Sequence, residues 1–101
     1  LFNADNNIEL GTALLNVLLY KQLEDVDNTV SREYCVISAY NTGLRNVLRT
    51  FSKDMVAAMN QINSLEPPAV YDKLRQNLPY QETRDYLVKV TSFRKQFVSA
   101  Q

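Results

Sequence analysis

The sequence contains no histidine and a single cysteine among its 101 residues. Histidine is the commonest general base near neutral pH and the commonest metal ligand, so its absence argues against serine-protease and zinc-hydrolase chemistry. An internal disulfide is excluded because Cys35 has no second thiol with which to pair. Apolar and helix-forming residues surround Cys35, and we therefore expect a buried structural thiol rather than an activated nucleophile.

Glycine and proline are also scarce, with two glycines and three prolines in the whole chain. An all-β fold needs many turns, which these residues commonly supply, so the composition favours helices. Hydrophobic residues make up 46% of the chain and charged residues 22%, which is too apolar for a disordered segment. A chain of this length buries roughly 60–70% of its unfolded surface, and we expect one small domain with a real hydrophobic core.

No sign of charge dominates, because eleven basic residues balance eleven acidic ones. Such a chain has no net field with which to attract nucleic acid or an anionic membrane, and we expect no nucleic-acid partner. No apolar run approaches the roughly 20 residues of a membrane-spanning helix, and no signal peptide opens the chain. The first residue is Leu1 rather than methionine, so we expect a processed or cut piece of a longer protein.

Hydrophobic periodicity predicts a series of helices with short connections. The predicted helices cover about residues 6–23, 29–40, 44–51, 54–62, 66–78 and 80 to near the C-terminus. Either Thr29 or Ser31 is a suitable cap for the second helix, and Gly43 is the residue type that ends one. The second helix is predicted to carry Val30, Tyr34, Ile37 and Asn41 on one face. The last is predicted to bury Tyr86, Val90, Phe93 and Phe97.

Two short segments suggest chemistry beyond packing. The first is Ala39-Tyr40-Asn41-Thr42-Gly43, where a tyrosine hydroxyl can project into a cleft and an asparagine can bond neighbouring backbone groups. The second runs from Leu78 to Tyr86, and in it Glu82 and Tyr86 lie four residues apart on one helix face. A carboxylate beside a phenol can bind sugar hydroxyls. The alternatives are an ordinary helix end with a half-buried aromatic, and a helix start with a favourable acid in its first turn.

Together these segments resemble a known enzyme family. Ala-Tyr-Asn-x-Gly followed by Pro-x-x-Glu-Thr-Arg-x-Tyr is similar to the pattern of the soluble-type lytic transglycosylase catalytic domain, whose fold is similar to goose-type lysozyme. The opening residues 6–15 look like the Asn-Ile helix of that family, and residues 46–52 look most like its membrane-bound members. The resemblance implies an all-α, lysozyme-like domain of which residues 1–101 form the C-terminal part.

The resemblance also implies an activity. Members of the family cut the bond between N-acetylmuramic acid and N-acetylglucosamine in peptidoglycan glycan strands, with one glutamate as acid and base and with a 1,6-anhydro product. That glutamate belongs to a Glu-Ser pair, which a Gly-Leu-Met-Gln segment accompanies, and neither motif occurs in these 101 residues. We therefore expect the catalytic acid upstream of Leu1, no activity from this chain alone, and surface positions for Glu9 and Glu33.

By the same resemblance Tyr40, Asn41, Glu82 and Tyr86 are the candidate substrate-binding residues, and neither metal nor cofactor is implied. The location implied is periplasmic, with any lipid anchor to the outer membrane in an upstream segment. The loop departs from the family pattern at Thr42, where a small residue is usual, and in lacking a second glycine after Gly43. We hypothesise that residues 44–78, longer than in many relatives, wall part of the groove.

Two other interpretations stay open at this point. One is a non-catalytic helical module that binds peptidoglycan or a protein partner, which a contiguous exposed apolar patch would favour. The other is a helical bundle with no glycan role, which requires all three sequence blocks to be coincidental.

Overall fold

The computed structural model describes the secondary structure of residues 14–100 and the side chains of residues 14–93. The chain is helical across this part and contains no strand there, so the predicted all-α class is confirmed. The helices are α1 (14–22), α2 (Thr29–Thr42), α3 (Leu44–Arg49), α4 (Met55–Ser64), α5 (Pro67–Asn77) and α6 (Gln81–Ala100). The predicted start of the first helix, with Glu9 and the rest of residues 6–13, lies outside the described residues.

The ends of α2 explain where the chain enters and leaves its central helix. Asn28 is the N-cap: its Oδ1 accepts hydrogen bonds from the N–H groups of Val30 at 2.9 Å and Ser31 at 3.1 Å. The prediction of Thr29 or Ser31 as cap is therefore wrong, because extended backbone at Asn28 already aims its short side chain at these donors. Gly43 ends α2 as predicted, with a φ of 94° that favours glycine.

The acidic connection between α1 and α2 is a loop, as predicted, but its backbone is firmly held. The Asn63 side chain of α4 donates to the Asp25 carbonyl at 2.8 Å and accepts from the Asp27 N–H at 2.9 Å. Arg32 donates to the carbonyl of Val26, whose side chain is fully buried. The acidic side chains of this loop are exposed to solvent, whereas its main chain is hydrogen-bonded to α2 and α4.

Helix α2 lies at the centre of the fold and packs against α3, α5 and α6. Its buried residues are Ser31, Cys35, Val36, Ser38 and Ala39. Of the four residues predicted to share one face of α2, Tyr34 and Ile37 are half-buried, whereas Val30 is 44% exposed and Asn41 is also exposed. Because α2 has neighbouring helices on several sides, its buried residues are mostly small, since small side chains allow helices to approach closely. The aromatic Tyr34 is left half-buried against the Tyr71 ring, with centroids 5.0 Å apart.

The buried face of α6 differs from the predicted one. Thr83 and Leu87 are the fully buried positions, whereas Tyr86 and Val90 are half-buried and Phe93 is 71% exposed. The Phe97 side chain lies outside the described residues. Positions 83 and 87 are one helical turn apart and face the interior, and 86 and 90 lie on the adjoining face. Tyr86 and Val90 therefore border a surface groove, and among residues 81–93 of α6 Leu87 is the large residue that lies in the core.

The two middle helices begin where the sequence indicates. Asp54 caps α4 by accepting from the Ala57 N–H at 3.4 Å, and Glu66 precedes the Pro67 that opens α5. Val70 and Leu74 of α5 are fully buried, as expected from their spacing. The helical spacing of Met55, Ala58 and Ile62 indicates one apolar stripe on α4, but Met55 is 54% exposed because it occupies the first position of the helix, at the protein surface.

Cys35 is fully buried, which confirms the predicted structural thiol. Burial raises the pKa of the Cys35 thiol from its ordinary value of 9.0 to about 12. The unfolded chain thus loses this proton at lower pH than the folded chain, and the stability that Cys35 contributes falls as pH rises from 9 towards 12. We expect the denaturation midpoint to drop over this range, and to drop less in Cys35→Ala. An equally steep drop in the variant would show that other groups cause it.

Candidate functional site

The two segments singled out in the sequence meet in the fold. The Thr83 hydroxyl, at the start of α6, donates a 2.7 Å hydrogen bond to Oδ1 of Asn41, at the end of α2. One helical turn further into α6, the Tyr86 ring lies near that of Tyr40, with centroids 6.3 Å apart and planes inclined by 17°. Residues separated by more than 40 positions in sequence therefore form one structural unit.

This unit borders an open groove of about 260 Å³ between α1, α2 and α6. Helix α2 contributes four of the described lining residues, and α1 and α6 contribute two each. The lining residues are Asn16, Tyr20, Glu33, Val36, Ile37, Tyr40, Tyr86 and Val90. Aliphatic side chains lie between three phenols, one amide and one carboxylate. A surface of this kind combines apolar contact with hydrogen-bond donors and acceptors, which a ligand rich in hydroxyl groups requires.

The Tyr86 phenol of the groove is a hydrogen-bond donor at neutral pH. Burial raises the pKa of the Tyr86 phenol above its ordinary value, and the neighbouring Tyr40 raises it further. Tyr86 therefore stays protonated well above pH 7. Its hydroxyl can both donate to and accept from a sugar hydroxyl, and the face of its ring is partly covered by Tyr40.

Glu33 lies in the groove and not on the open surface, so its interpretation as a plain surface charge is wrong. It is half-buried and lies on the same side of α2 as Tyr40, two helical turns earlier. The signal was present in the sequence: residues 33, 36, 37 and 40 recur at helical spacing and must share a face. Glu33 is thus the one carboxylate among the described residues that line this groove.

The other predicted site residues occupy different positions. Glu82 is exposed in the first turn of α6 and does not line the groove, although Tyr86 does. The Asn41 side chain contacts Thr83 beside the groove. None of the described lining residues comes from 44–78, so the hypothesis that this segment walls the groove is wrong for the groove between Tyr40 and Tyr86. Helix α5 packs against both α2 and α6, α3 packs against α2, and α4 packs against α3.

Thr83 is the residue that the sequence interpretation missed. It is 1% exposed and makes the only side-chain hydrogen bond that the described residues show between α2 and α6. Its place between Glu82 and Arg84, in the segment already singled out, was the available signal. Arg84 reinforces the same corner by donating to the Leu78 carbonyl at 3.0 Å. Together these contacts fix where α6 begins relative to α2.

Replacing Thr83 by valine keeps its shape and removes its hydroxyl. We expect the free energy of unfolding to fall by about 1 kcal/mol, the usual net value of one such bond. A double-mutant cycle with Asn41→Ala, read by chemical denaturation, isolates the pair: the double variant should lose less than the sum of the singles. Strict additivity would show that the two side chains do not stabilise each other.

The described residues contain neither a metal-binding cluster of side chains nor a membrane-spanning helix. No group of three or more histidine, cysteine, aspartate or glutamate side chains in this part of the chain is placed to hold a metal ion. Among the same residues, no helix has the length and apolarity needed to cross a membrane.

Comparison with known proteins gives one consistent result. The family described as "Transglycosylase SLT domain" matches residues 1–63. Proteins named membrane-bound lytic murein transglycosylase C are similar over 97 residues, or 96% of this chain, with 47% identity in Klebsiella pneumoniae and 44% in Serratia proteamaculans. The relative from Edwardsiella ictaluri is 45% identical over the same length. In each case the chain spans 27% of the relative, about a quarter of its length.

Proposed function

Because the chain belongs to the transglycosylase SLT domain family, we propose that it is part of a lytic transglycosylase that cleaves peptidoglycan glycan strands. The family fold is lysozyme-like and helical, in agreement with the helices described above. The observation that carries the proposal is the meeting of Tyr40 with Tyr86 in a groove that also presents Tyr20, Asn16 and Glu33. The names of the relatives, which specify murein as substrate, support the same activity.

In the proposed reaction one carboxylic acid protonates the glycosidic oxygen as the bond from the muramoyl C1 atom to that oxygen breaks. The C6 hydroxyl of the same sugar attacks C1, and the carboxylate removes its proton, so a 1,6-anhydro ring forms without water. This differs from the two-carboxylate scheme of most glycosidases. The acid must be protonated when substrate arrives, which a partly apolar groove favours by raising its pKa.

We assign supporting roles to the residues of this chain. Tyr40 orients the acid or the sugar through its hydroxyl, and Tyr86 contacts the sugar beside it. Asn41 holds the corner between α2 and α3 in place through Thr83. Glu82, exposed in the first turn of α6, meets sugar or peptide groups at the edge of the site.

The acid itself is proposed to come from a segment outside these 101 residues. Neither a Glu-Ser pair nor a Gly-Leu-Met-Gln segment occurs in the sequence. The exposed apolar side chains of α1 support a packing surface for such a segment: Leu14, Leu15, Val17 and Leu18 are between 39% and 66% exposed. The proposed location is the periplasm, with any lipid anchor carried outside this chain.

The test compares this chain with a chimera. In the chimera the part of the Klebsiella pneumoniae relative that precedes its matched region is fused to residues 1–101. We expect the chimera to release 1,6-anhydromuropeptides from purified sacculi, detected by mass spectrometry, and the chain alone to release none. A folded chimera that binds sacculi without cleaving them would contradict the enzymatic proposal and favour a non-catalytic binding module.

Release by the chain alone would place the catalytic acid within it. Glu33 is then the first carboxylate to examine, because it lines the groove with Tyr40 and Tyr86. Loss of that release in Glu33→Gln, with Glu24→Gln as a control in the exposed loop, would identify Glu33 as the acid and would overturn the assignment to an external segment.

A further inference from the structure

A second concave site lies on the other side of Gly43, at α3 and the turn that follows it. It encloses about 350 Å³, and three of its seven lining residues are cations: Arg45, Arg49 and Lys53. Arg45 and Arg49 are four residues apart and therefore project from the same face of α3. Lys53 continues the row beyond the end of the helix. In a chain whose total charge is zero, this is a local concentration of positive charge.

The three cationic groups have no competing partner in the part of the chain that the structure describes. All three side chains are exposed, and none forms a hydrogen bond or ion pair within residues 14–93. The one acid in the lining is Asp54, and its carboxylate is engaged as the cap of α4, where it accepts from the Ala57 N–H. The lining therefore carries three positive charges and one negative charge, and the carboxylate with the negative charge already accepts a hydrogen bond.

The shape and chemistry of this pocket suit a carboxylate of a peptide better than the flat surface of a membrane. The lining also includes buried Leu48 and exposed Met55, so a ligand in this pocket meets apolar as well as charged groups. Arginine presents a planar fork that matches a carboxylate with two parallel hydrogen bonds. Two such forks one turn apart fit a ligand with two carboxylates, and Lys53 adds a third positive charge at the rim.

The position of the pocket relative to the groove identifies the ligand class. Only Gly43 separates α2 from α3, so Arg45 lies five residues from Tyr40; a fully extended chain of that length spans about 18 Å, and the separation is shorter here because both residues lie in helices. An extended tetrapeptide reaches about 14 Å. We propose that this pocket binds the free carboxylates of the peptide attached to the muramic acid of a glycan strand in the groove. This proposal rests on the proposed function for the identity of the strand.

The test uses the 101-residue chain labelled with ¹⁵N and the free tetrapeptide L-Ala-γ-D-Glu-diaminopimelate-D-Ala as probe. We expect amide shifts confined to residues 45–55 and a dissociation constant that rises with salt, because the contacts are between charges. The same peptide with its carboxylates amidated should give no shifts. Shifts that persist with the amidated peptide, or that map elsewhere, overturn the proposal.

Two variants with equal charge change provide the control. Arg45→Gln/Arg49→Gln removes both forks, and Arg75→Gln/Lys89→Gln removes two positive charges from α5 and α6. We expect the first to weaken peptide binding by at least about fivefold, as expected for the loss of two partly exposed charge pairs, and the second by less than about twofold. Equal weakening would show a general charge effect and would reject the pocket. If the arginine variant does not fold, two measurements still test the proposal: binding of the peptide to Lys53→Gln, and binding of the amidated peptide to the unmodified chain.

Membrane binding is the alternative outcome, because Met55 and Val56 are 54% and 68% exposed beside the cations. Sedimentation with vesicles containing phosphatidylglycerol, without binding of the tetrapeptide, would overturn the proposal in favour of a lipid surface.

Failure of the pocket proposal can also be distinguished from failure of the proposed function. A peptide-free glycan strand probes the groove alone: if it binds while the tetrapeptide does not, the pocket proposal fails and the proposed function stands. The reverse result leaves the pocket and removes the glycan-cutting assignment.

Discussion

Replacing Leu87 by alanine is expected to lower the free energy of unfolding by about 3 kcal/mol, within the range for leucine truncation in a packed core. Leu87 is fully buried in α6, and it faces the interior one turn after Thr83. Truncation removes apolar contacts and leaves a cavity that surrounding helices fill only in part. Because each kcal/mol shifts the Tm of a domain this size by about 4–8 °C, the melting temperature should fall by more than about 10 °C.

Phe93→Ala is the matched comparison on the same helix. Its ring is larger than the Leu87 side chain, but it is 71% exposed, so its truncation should change stability by less than about 0.5 kcal/mol. Thermal unfolding followed by circular dichroism measures both. The sequence-based face of α6 predicts the opposite order, with Phe93 buried. A larger loss in Phe93→Ala than in Leu87→Ala would therefore restore that face and contradict the described packing.

Tyr40→Phe is expected to reduce sacculus cleavage by the chimera by about 10- to 100-fold, while leaving its stability nearly unchanged. The substitution removes only the hydroxyl and keeps the ring beside Tyr86. A hydroxyl that positions the acid or the sugar acts on the reaction geometry, and small displacements there have large effects on rate. The loss should be mainly in kcat, since most of the binding surface of the groove is retained.

Tyr80→Phe serves as the control for this substitution. Tyr80 is 59% exposed, precedes α6 and does not line the groove, so cleavage should stay within about twofold of the unmodified chimera. Initial rates of anhydromuropeptide release at several sacculus concentrations separate binding from turnover. Full activity in Tyr40→Phe would remove the hydroxyl from the mechanism and leave Tyr40 with a packing role.

The boundaries of the helices follow largely from local chemistry, and the sequence predicts them well. Gly43 ends α2 because its positive φ is costly for other residues, and Pro67 opens α5 because the first turn of a helix does not need its N–H. Such signals depend on a few neighbouring residues. Even here the cap of α2 was misplaced, because Asn28, Thr29 and Ser31 are all capping residue types and only the backbone conformation distinguishes them.

The faces of the helices depend on tertiary packing, and the sequence predicts them poorly. A central helix such as α2 has neighbours on several sides, so no single apolar stripe marks its interior. In α6 Tyr86 lies at the groove and Phe93 at the surface, whereas a threonine is buried beside Leu87. That threonine is stable inside because Asn41 accepts its proton, a partner 42 residues away that periodicity does not reveal.

The same limit applies to the candidate site. The two segments with unusual composition were found from sequence, and the structure brings them together at Tyr40 and Tyr86. Glu33 was expected at the surface because it does not match the Glu-Ser pair of the family pattern. Its position in the groove follows from α1 and α6 flanking that side of α2, which is a property of the assembled fold.

The attachment of the loop 25–27 to Asn63 has a consequence for the evolution and engineering of this domain. Helix α1 contributes Asn16 and Tyr20 to the groove, and the chain that leads from it is anchored on α4, which contributes none of the described lining residues. The width of the groove is thus set partly by a distant helix. Grafting α1 from a relative without its own α4 would break this anchor and displace Asn16 and Tyr20, so the two helices have to be exchanged as a pair.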